Sequence, residues 1–409
     1  MKYEKLLERF LRYVRVDTQS DPESETIPST EKQKNLGKML VEELKQLGLE
    51  AEMDEYGYVY SKLPSNVENP YRIGLIAHMD TSPDVSGKDV NPQVHENYDG
   101  KDIELGKGVV IKVDENPDLK NKVGETIITT DGRTLLGADD KAGIAEIITA
   151  VEYLLQHPEI PRPEIKIAFT PDEEIGRGTI KFDLEKFSAD FAYTVDGGAL
   201  GEIEDETFSA DAGKVKIKGV NVHPGYAKGK LVNSIKIASE IISRLPKDKL
   251  SPETTEGKEG YLHPTDIKGN VEYTEINFIF RAFEVEELKE IEKFLEKIID
   301  EVRKEFPKAE INLEIKEQYR NMIYKLKEEP RVVDLAIRAA KEVGIEPKRT
   351  SIRGGTDGAM LSYKGLLTPN LFTGGHNFHS RKEWISLQDM ERAVDLIVKL
   401  MELWAREKK

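Results

Sequence analysis

The chain of 409 residues contains no cysteine, which excludes disulfide bonds, thiolate metal sites and cysteine nucleophiles. This absence fits a reducing compartment, and we expect a cytoplasmic protein. Long apolar runs are also missing, since none approaches the roughly 18 residues that a membrane-spanning helix needs. The first residues show an amphipathic helix pattern without the apolar segment of a secretory signal. We therefore expect no contact with a membrane.

Positive charge is in deficit, with 60 Lys and Arg against 76 Asp and Glu, a formal net charge of −16. Nucleic-acid binding favours a basic surface, so nucleic acid is not the expected partner. Charged residues make up 33% of the chain, against about 25% in an average soluble protein, and they are interspersed. This pattern indicates a well-solvated globular surface, and the length allows two or three domains of roughly 150 residues.

Short buried-strand patterns alternate with helical patterns from residue 71 onward, which predicts an α/β fold. The predicted strands lie at 73–77, 126–130, 164–169 and 191–195, and a helix is predicted over 141–157. From about residue 212 the order becomes β-α-β-β-α-β, which is typical of a ferredoxin-like α+β unit. We predict a catalytic domain with a mixed sheet flanked by helices, formed by 1–211 and 321–409 and interrupted by an inserted lid domain at 212–320.

Polar side chains follow the predicted strands where each strand ends. In open α/β sheets, ligands bind at the carboxyl ends of the strands, so these side chains are expected to converge. The clusters are His78 and Asp80, Asp139 and Asp140 at the start of the helix, Glu173 and Glu174, Asp196, and His376 and His379.

Each cluster has a simpler interpretation when it is taken alone. The pair at His78 could be a loop hydrogen bond, adjacent acidic residues could favour a helix N-terminus or lie in solvent, and Asp196 could belong to a turn. Their joint occurrence at five strand ends favours a functional site.

Two histidines and three carboxylates suit two divalent ions that share a bridging carboxylate. Zn²⁺ accepts such ligands and lowers the pKa of bound water, which predicts metal-assisted hydrolysis with an amide as the expected substrate.

At this point the chain resembles the M20 family of zinc metallopeptidases, and within it the tripeptide aminopeptidases, over nearly its whole length. The matching motifs occur in the family's order and spacing, and they are Ala77-His-Met-Asp-Thr-Ser-Pro-Asp84, Leu136-Gly-Ala-Asp-Asp-Lys-Ala-Gly-Ile-Ala-Glu146, Phe169-Thr-Pro-Asp-Glu-Glu-Ile-Gly176, Tyr193-Thr-Val-Asp-Gly-Gly198, Asn221-Val-His-Pro-Gly225, Ile352-Arg-Gly-Gly-Thr-Asp-Gly358 and Asn370-Leu-Phe-Thr-Gly-Gly375.

The resemblance implies two zinc ions per chain. His78 and Asp196 would hold one ion, and Glu174 and His379 would hold the other. The family pattern Asp-x-Lys selects Asp139 as the bridging ligand, with a cis peptide bond after it, and leaves Asp140 as a supporting residue and second choice.

The resemblance also implies catalytic roles for two carboxylates. Asp80 would fix the ring of His78, in the usual arrangement of carboxylate, histidine and metal. Glu173 would be the general base on the metal-bound water. His376 is interpreted as a wall of the site, and the remaining histidines that match no ligand position are interpreted as structural: His95, His157 and His263.

Substrate contacts are expected from His223 and Arg281 in the lid and from Arg353 in the catalytic part. A guanidinium group is well shaped to hold a peptide's terminal carboxylate. The implied activity is removal of the N-terminal residue from tripeptides with a free N-terminus, by a monomer or a homodimer. The alternatives are another M20-type hydrolase (a dipeptidase, carboxypeptidase or N-acyl amino acid deacylase) and a peptide-binding protein without catalysis.

Overall fold

The computed structural model describes residues 2–68 and 71–408, which divide into two compact units. The first unit comprises Met1–Asp205, Tyr324–Thr350 and Thr356–Lys409, and the second comprises Glu206–Ile323 and Ser351–Gly355. The predicted insertion at 212–320 falls inside the second unit.

The strands and helices are numbered in chain order. The strands are β1 Ala51–Met53, β2 Val59–Leu63, β3 Arg72–His78, β4 Gln93–His95, β5 Ile103–Gly106, β6 Val109–Ile111, β7 Ile127–Thr129, β8 Glu164–Thr170, β9 Phe191–Gly197, β10 Glu202–Thr207, β11 Ser209–Lys218, β12 Tyr261–Gly269, β13 Tyr273–Ala282, β14 Glu310–Tyr319, β15 Lys348–Ile352, β16 Asn370–Phe372, β17 Gly375–His376 and β18 Trp384–Ser386. The helices are α1 Leu6–Val14, α2 Gln33–Gln46, α3 Ala138–Gln156, α4 Leu184–Phe187, α5 Ser234–Ser243, α6 Val285–Glu305, α7 Ile323–Leu326, α8 Arg331–Glu342, α9 Asp357–Tyr363 and α10 Leu387–Trp404. Within the described residues, no helix combines the length and the apolar character that crossing a bilayer requires.

The largest sheet has eight strands in the order β1-β2-β8-β3-β9-β16-β10-β15. Strand β3 pairs in parallel with β8 on one side and with β9 on the other, and β16 pairs in parallel with β9. The carboxyl ends of these strands therefore meet at one edge of the sheet. Antiparallel pairs at β1–β2, β2–β8 and β10–β16 make the sheet mixed. This confirms the predicted fold class.

Helix α3 is the central helix of the first unit. It packs on β3 and β9 and is covered by α1 and α10, so most of its side chains are buried. Gly143 allows the close approach to β9, because a Cβ placed on it would lie 1.8 Å from the carbonyl oxygen of Val195. The first turn is irregular: Asp139 and Asp140 have non-helical backbone angles, and the peptide bond between them is cis, as expected.

A second, four-stranded sheet in the order β17-β18-β7-β4 lies in the first unit. It contains β7, the strand predicted at 126–130, which therefore lies outside the large sheet. Strands β17 and β18 form an antiparallel pair and enclose the loop 377–383. A short two-stranded sheet, β5-β6, completes the strands of this unit.

The second unit contains a four-stranded antiparallel sheet in the order β12-β13-β11-β14, with α5 and α6 packed against it. The chain order β-α-β-β-α-β and this strand order are those of the predicted ferredoxin-like arrangement. Apolar residues from the sheet and from both helices form a core within this unit, including Ile237, Phe278, Phe280, Leu295 and Ile299.

Candidate metal centre

The five metal-ligand candidates and the candidate base Glu173 converge at the carboxyl edge of the large sheet. His78 is the last residue of β3, and Asp196 lies near the end of β9. Glu173 and Glu174 form a single 3₁₀ turn directly after β8. Asp139 lies in the first turn of α3, and His379 lies in the loop between β17 and β18. The convergence predicted from the strand ends is therefore observed.

Asp139 lies between the two histidines. Its Oδ1 is 2.8 Å from Nε2 of His78, and its Oδ2 is 3.1 Å from Nε2 of His379. Nε2 of His78 is also 3.4 Å from Oδ1 of Asp196, and Nε2 of His379 is 2.9 Å from Oε2 of Glu174. Each oxygen of the Asp139 carboxylate thus contacts a different histidine, and each histidine also lies near a second carboxylate, which suits Asp139 as a bridging ligand.

The described part of the chain contains two groups of three possible ligand atoms, and within each group all three atoms lie within 4.8 Å of one another. One group comes from His78, Asp139 and Glu174, and the other from His78, Glu173 and Asp196. Oε1 of Glu174 is buried and has no hydrogen-bond partner among the described residues. Four carboxylates and two histidines share a largely buried space, and an unbalanced buried charge is costly. Divalent cations would balance these carboxylates, so the residues fit a metal centre.

The pKa shifts reflect burial and this crowding of charges. Burial raises the pKa of Glu174 to about 8 and that of Asp196 to about 6. Burial opposes ionisation of Asp139 too, but hydrogen bonds from the two histidines lower its pKa overall. Hydrogen bonds to Asp139 and Glu174 raise the pKa of His379 to about 11. The cluster therefore retains protons that a bound cation would displace.

Asp80 supports the turn that carries the two glutamates. Its Oδ1 accepts the backbone N–H of Glu173 at 2.9 Å, and its Oδ2 accepts that of Glu174 at 3.2 Å. Nδ1 of His78 lies 3.0 Å from the carbonyl oxygen of Asp80 and 3.4 Å from its Oδ1. The ring of His78 is thus held more closely by the backbone of Asp80 than by its carboxylate.

The carboxylate of Asp140 binds backbone N–H groups and not a histidine ring of the described chain. This carboxylate is fully buried and accepts the backbone N–H groups of His78 at 3.0 Å and of Gly143 at 3.2 Å. These bonds tie the first turn of α3 to the end of β3. They support the choice of Asp139 as the ligand and of Asp140 as a supporting residue.

The three residues expected to contact substrate all belong to the second unit, and this includes Arg353, although its sequence position predicts the catalytic part. Nη1 of Arg353 donates to the carbonyl oxygens of Gly257 at 2.8 Å and Glu259 at 3.0 Å. Nη1 of Arg281 donates to the carbonyl oxygen of Phe280 at 2.9 Å, and no salt bridge joins Arg281 to a carboxylate among the described residues. His223 is exposed, and its Nδ1 accepts the N–H of Gly225.

The other histidines lie outside the metal-ligand cluster. The ring of His376 stacks on Trp384, with ring centroids 4.0 Å apart. Nε2 of His95 contacts Oγ1 of Thr129 at 3.0 Å, His157 packs on Tyr153, and His263 lies in β12.

Sequence reasoning missed two buried carboxylates near the cluster. Asp172 accepts the backbone N–H of Ser29 at 2.7 Å and the side-chain amide of Gln33 at 2.6 Å, which anchors the turn carrying the glutamates. Glu383 accepts backbone N–H groups at the start of α3. The only sequence signal was their nearness to Glu173 and His379, because an acidic residue that binds a distant backbone carries no local pattern.

The mixed α/β fold and the cluster of histidines and carboxylates at its strand ends define a metal-dependent hydrolase. A family model described as peptidase family M20/M25/M40 matches residues 125–403. The chain belongs to this family, and it is a metal-dependent peptidase of the aminopeptidase type, as the resemblance implied.

The chain is similar in sequence or in fold to individual peptidases. The chain is 53% identical over 405 residues to a protein named peptidase T from Clostridium perfringens. The alignment covers 98% of this chain and 100% of the relative. The fold is similar to the crystal structure of aminopeptidase PepT from Bacillus cereus, with a TM-score of 0.76, 24% identity and 99% of each chain covered. It is also similar to a Bacillus subtilis protein described as a dinuclear metal-binding peptidase of the M20 family, with a TM-score of 0.67, 14% identity and 98% of each chain covered.

Proposed function

We propose that the chain is an aminopeptidase that removes the N-terminal residue from tripeptides and uses two zinc ions bridged by Asp139. The observation that carries the proposal is that the two oxygens of Asp139 contact different histidines, at 2.8 and 3.1 Å. His78 and Asp196 would hold one ion, and Glu174 and His379 would hold the other. The relatives named peptidase T, at more than half identity over the whole chain, support the tripeptide specificity.

When bound, the ions would polarise the scissile carbonyl and make water more acidic. The residues of the chain then supply position and proton transfer. Glu173 is the proposed general base, because its Oε2 lies 3.9 Å from Nε2 of His78, beside the cluster and outside the shortest ligand contacts. Burial raises the pKa of Glu173 well above its usual value, which makes its carboxylate a stronger base. It would take a proton from the attacking water and deliver it to the leaving amine.

Asp80 would keep this base in place, since it accepts the backbone N–H groups of Glu173 and Glu174. Removal of Asp80 would release the turn that carries both a ligand and the base. The turn is fixed from its other side by Asp172, so base and ligand are held from two directions.

Recognition of the peptide's termini is proposed for the second unit. Arg281 is partly buried and has no salt bridge to a described carboxylate, so its guanidinium is suited to a peptide's terminal carboxylate. His223 is exposed and would contribute a ring nitrogen to the substrate. Arg353 already donates to carbonyl oxygens of the loop 255–259, so its proposed contact with substrate would compete with these bonds.

The test is product analysis on a matched set of a free tripeptide, its N-acetylated form and the corresponding dipeptide, each with and without a chelator. Chelator-sensitive release of the first residue from the free tripeptide alone is expected. Cleavage of the blocked peptide or the dipeptide would show a deacylase, carboxypeptidase or dipeptidase of the same family. Metal analysis of the purified chain should give two zinc ions, and a single ion would contradict the bridged centre.

A further inference from the structure

The carboxylate of Glu383 is fully buried and binds the start of α3. Its Oε2 accepts the backbone N–H groups of Leu136 at 2.6 Å and Gly137 at 2.8 Å. Its Oε1 accepts the backbone N–H of Asp139 at 3.2 Å. One of its three donors therefore belongs to the residue that lies between the two histidines of the metal centre.

These bonds satisfy N–H groups in and directly before the first turn of α3, since Asp139 lies in that turn and Leu136 and Gly137 precede it. The first N–H groups of a helix have no acceptor within the helix, and the helix dipole favours an anion at that end. Gly137, the residue before α3, provides no side-chain cap, and the carboxylate of Glu383 supplies acceptors from a distant part of the chain. The donors would otherwise be buried without partners, which is unfavourable.

Glu383 also fixes a second element of the metal centre. It is the last residue of the loop 377–383, which is closed by the pairing of Gly375 with Ile385 and of His376 with Trp384. The same loop carries His379. Binding of Glu383 to the start of α3 thus holds this loop against the turn that carries Asp139, and Nε2 of His379 lies 3.1 Å from Oδ2 of Asp139.

We propose that Glu383 is a positioning residue for the metal centre. It sets the distance between Asp139 and His379, and through this distance it sets the affinity for the ion held by His379 and Glu174. The inference rests on the dinuclear centre of the proposed function. The other ion position uses His78 and Asp196, which are carried by β3 and β9 of the large sheet. Loss of Glu383 should therefore weaken binding of the ion at His379 and Glu174 more than binding of the ion at His78 and Asp196.

The test uses the full-length chain with Glu383→Ala and Glu383→Gln, each stripped of metal and then titrated with zinc by calorimetry. The wild-type chain is expected to bind two ions. In Glu383→Ala the ion held by His379 and Glu174 should bind about 10- to 100-fold more weakly. The ion held by His78 and Asp196 shares only Asp139 with it and should lose less affinity. Glu383→Gln keeps one oxygen acceptor for the start of α3 and should restore part of the affinity. A Co²⁺ titration followed by visible absorption gives an independent readout of the position at His379 and Glu174.

Asp54→Ala is the matched control, because the Asp54 carboxylate also accepts two backbone N–H groups, those of Tyr56 and Tyr58 at 2.9 Å, in a different loop. It should bind both ions with wild-type affinity. Circular dichroism identifies any variant that does not fold, and Glu383→Gln provides the comparison if Glu383→Ala does not fold. If a folded Glu383 variant binds two ions with wild-type affinity, the inference is overturned and the dinuclear centre is not. Fewer than two ions on the wild-type chain would overturn the dinuclear centre and the inference with it.

Discussion

At the scale of single residues, the metal centre concentrates more acidic groups than its histidines can neutralise. Asp139, Glu173, Glu174 and Asp196 surround His78 within a few ångströms. In the absence of a cation, hydrogen bonds and retained protons stabilise this arrangement. Competition between protons and cations should therefore govern occupancy of the site.

The first prediction concerns this competition. The pKa of His379 is raised to about 11 by Asp139 and Glu174, and burial raises the pKa of Glu174 to about 8. Both groups hold protons near pH 7 that a bound ion must displace, so zinc affinity should rise between pH 6 and pH 8. Calorimetric titration in two buffers of different ionisation enthalpy should show net proton release to the buffer. A binding enthalpy that is independent of the buffer would contradict this.

The second prediction concerns the general base. Glu173→Gln should lower kcat by about 10²- to 10⁴-fold, because the amide cannot accept the proton of the attacking water. Zinc content should be retained, since the proposed ligands are intact. Steady-state kinetics and metal analysis on one preparation give both values. Glu185→Gln, an exposed change in α4, should behave as wild type, and near-normal turnover of Glu173→Gln would remove the base assignment.

At the scale of secondary-structure elements, α3 packs tightly against β9. Gly143 in α3 has no space for a side chain, because a Cβ would lie 1.8 Å from the carbonyl oxygen of Val195 and 2.5 Å from Oδ1 of Asp140. The position of α3 is therefore fixed against the strand that carries Asp196. Any change in this contact should move Asp139 relative to Asp196.

The third prediction tests this contact. Alanine is favoured over glycine within a helix by about 1 kcal/mol. Overpacking a buried contact costs about 1–3 kcal/mol and occasionally more. Since the clash of Gly143→Ala is with backbone, the steric cost should win, and denaturant unfolding should show a destabilised chain. Gly37→Ala in α2 is the control, because its Cβ would meet the flexible Met53 side chain. It should be close to neutral, and equal effects of the two changes would refute the argument.

The positions of the buried strands were predictable because the pattern reports burial, but the sheet that each strand joins was not. The runs at 73–77, 164–169 and 191–195 are all strands of the large sheet, and nearly all of their apolar residues are buried. The run at 126–130 also forms a strand, but it pairs with β4 and β18. Its sequence reports burial and contains no information about which sheet it joins.

The metal-ligand candidates were predictable from the sequence, but residues whose partners lie far away in the chain were not. His78, Asp139, Glu174, Asp196 and His379 were found because parallel strands bring their carboxyl ends together. Arg353 was assigned to the catalytic part, since nothing in its motif shows that it binds the loop 255–259. Glu383 was missed because its partners lie more than 240 residues earlier in the chain.

At the scale of the whole molecule, all five proposed ligands belong to the first unit, and the second unit has a core of its own. Stabilisation by bound ions should therefore be local. A ligand that binds only the folded state stabilises it according to its concentration relative to its dissociation constant.

The fourth prediction follows from this placement. Addition of zinc to the metal-free chain should slow amide hydrogen exchange at 136–143 and 173–176, which carry ligands of the first unit. Exchange in α6 of the second unit should be unchanged. Hydrogen-exchange mass spectrometry on the full chain distinguishes the two regions. Equal protection of α6 would show that the ions stabilise both units together.

The sheet order has a consequence for the time course of biosynthesis. Strand β16 lies between β9 and β10, so residues 191–207 leave a gap in the sheet that only residues 370–372 can fill. A nascent chain that has not yet emerged past residue 379 lacks a complete sheet and one of the histidines. The growing polypeptide would thus remain without hydrolytic activity on the ribosome until residues 370–379 have emerged.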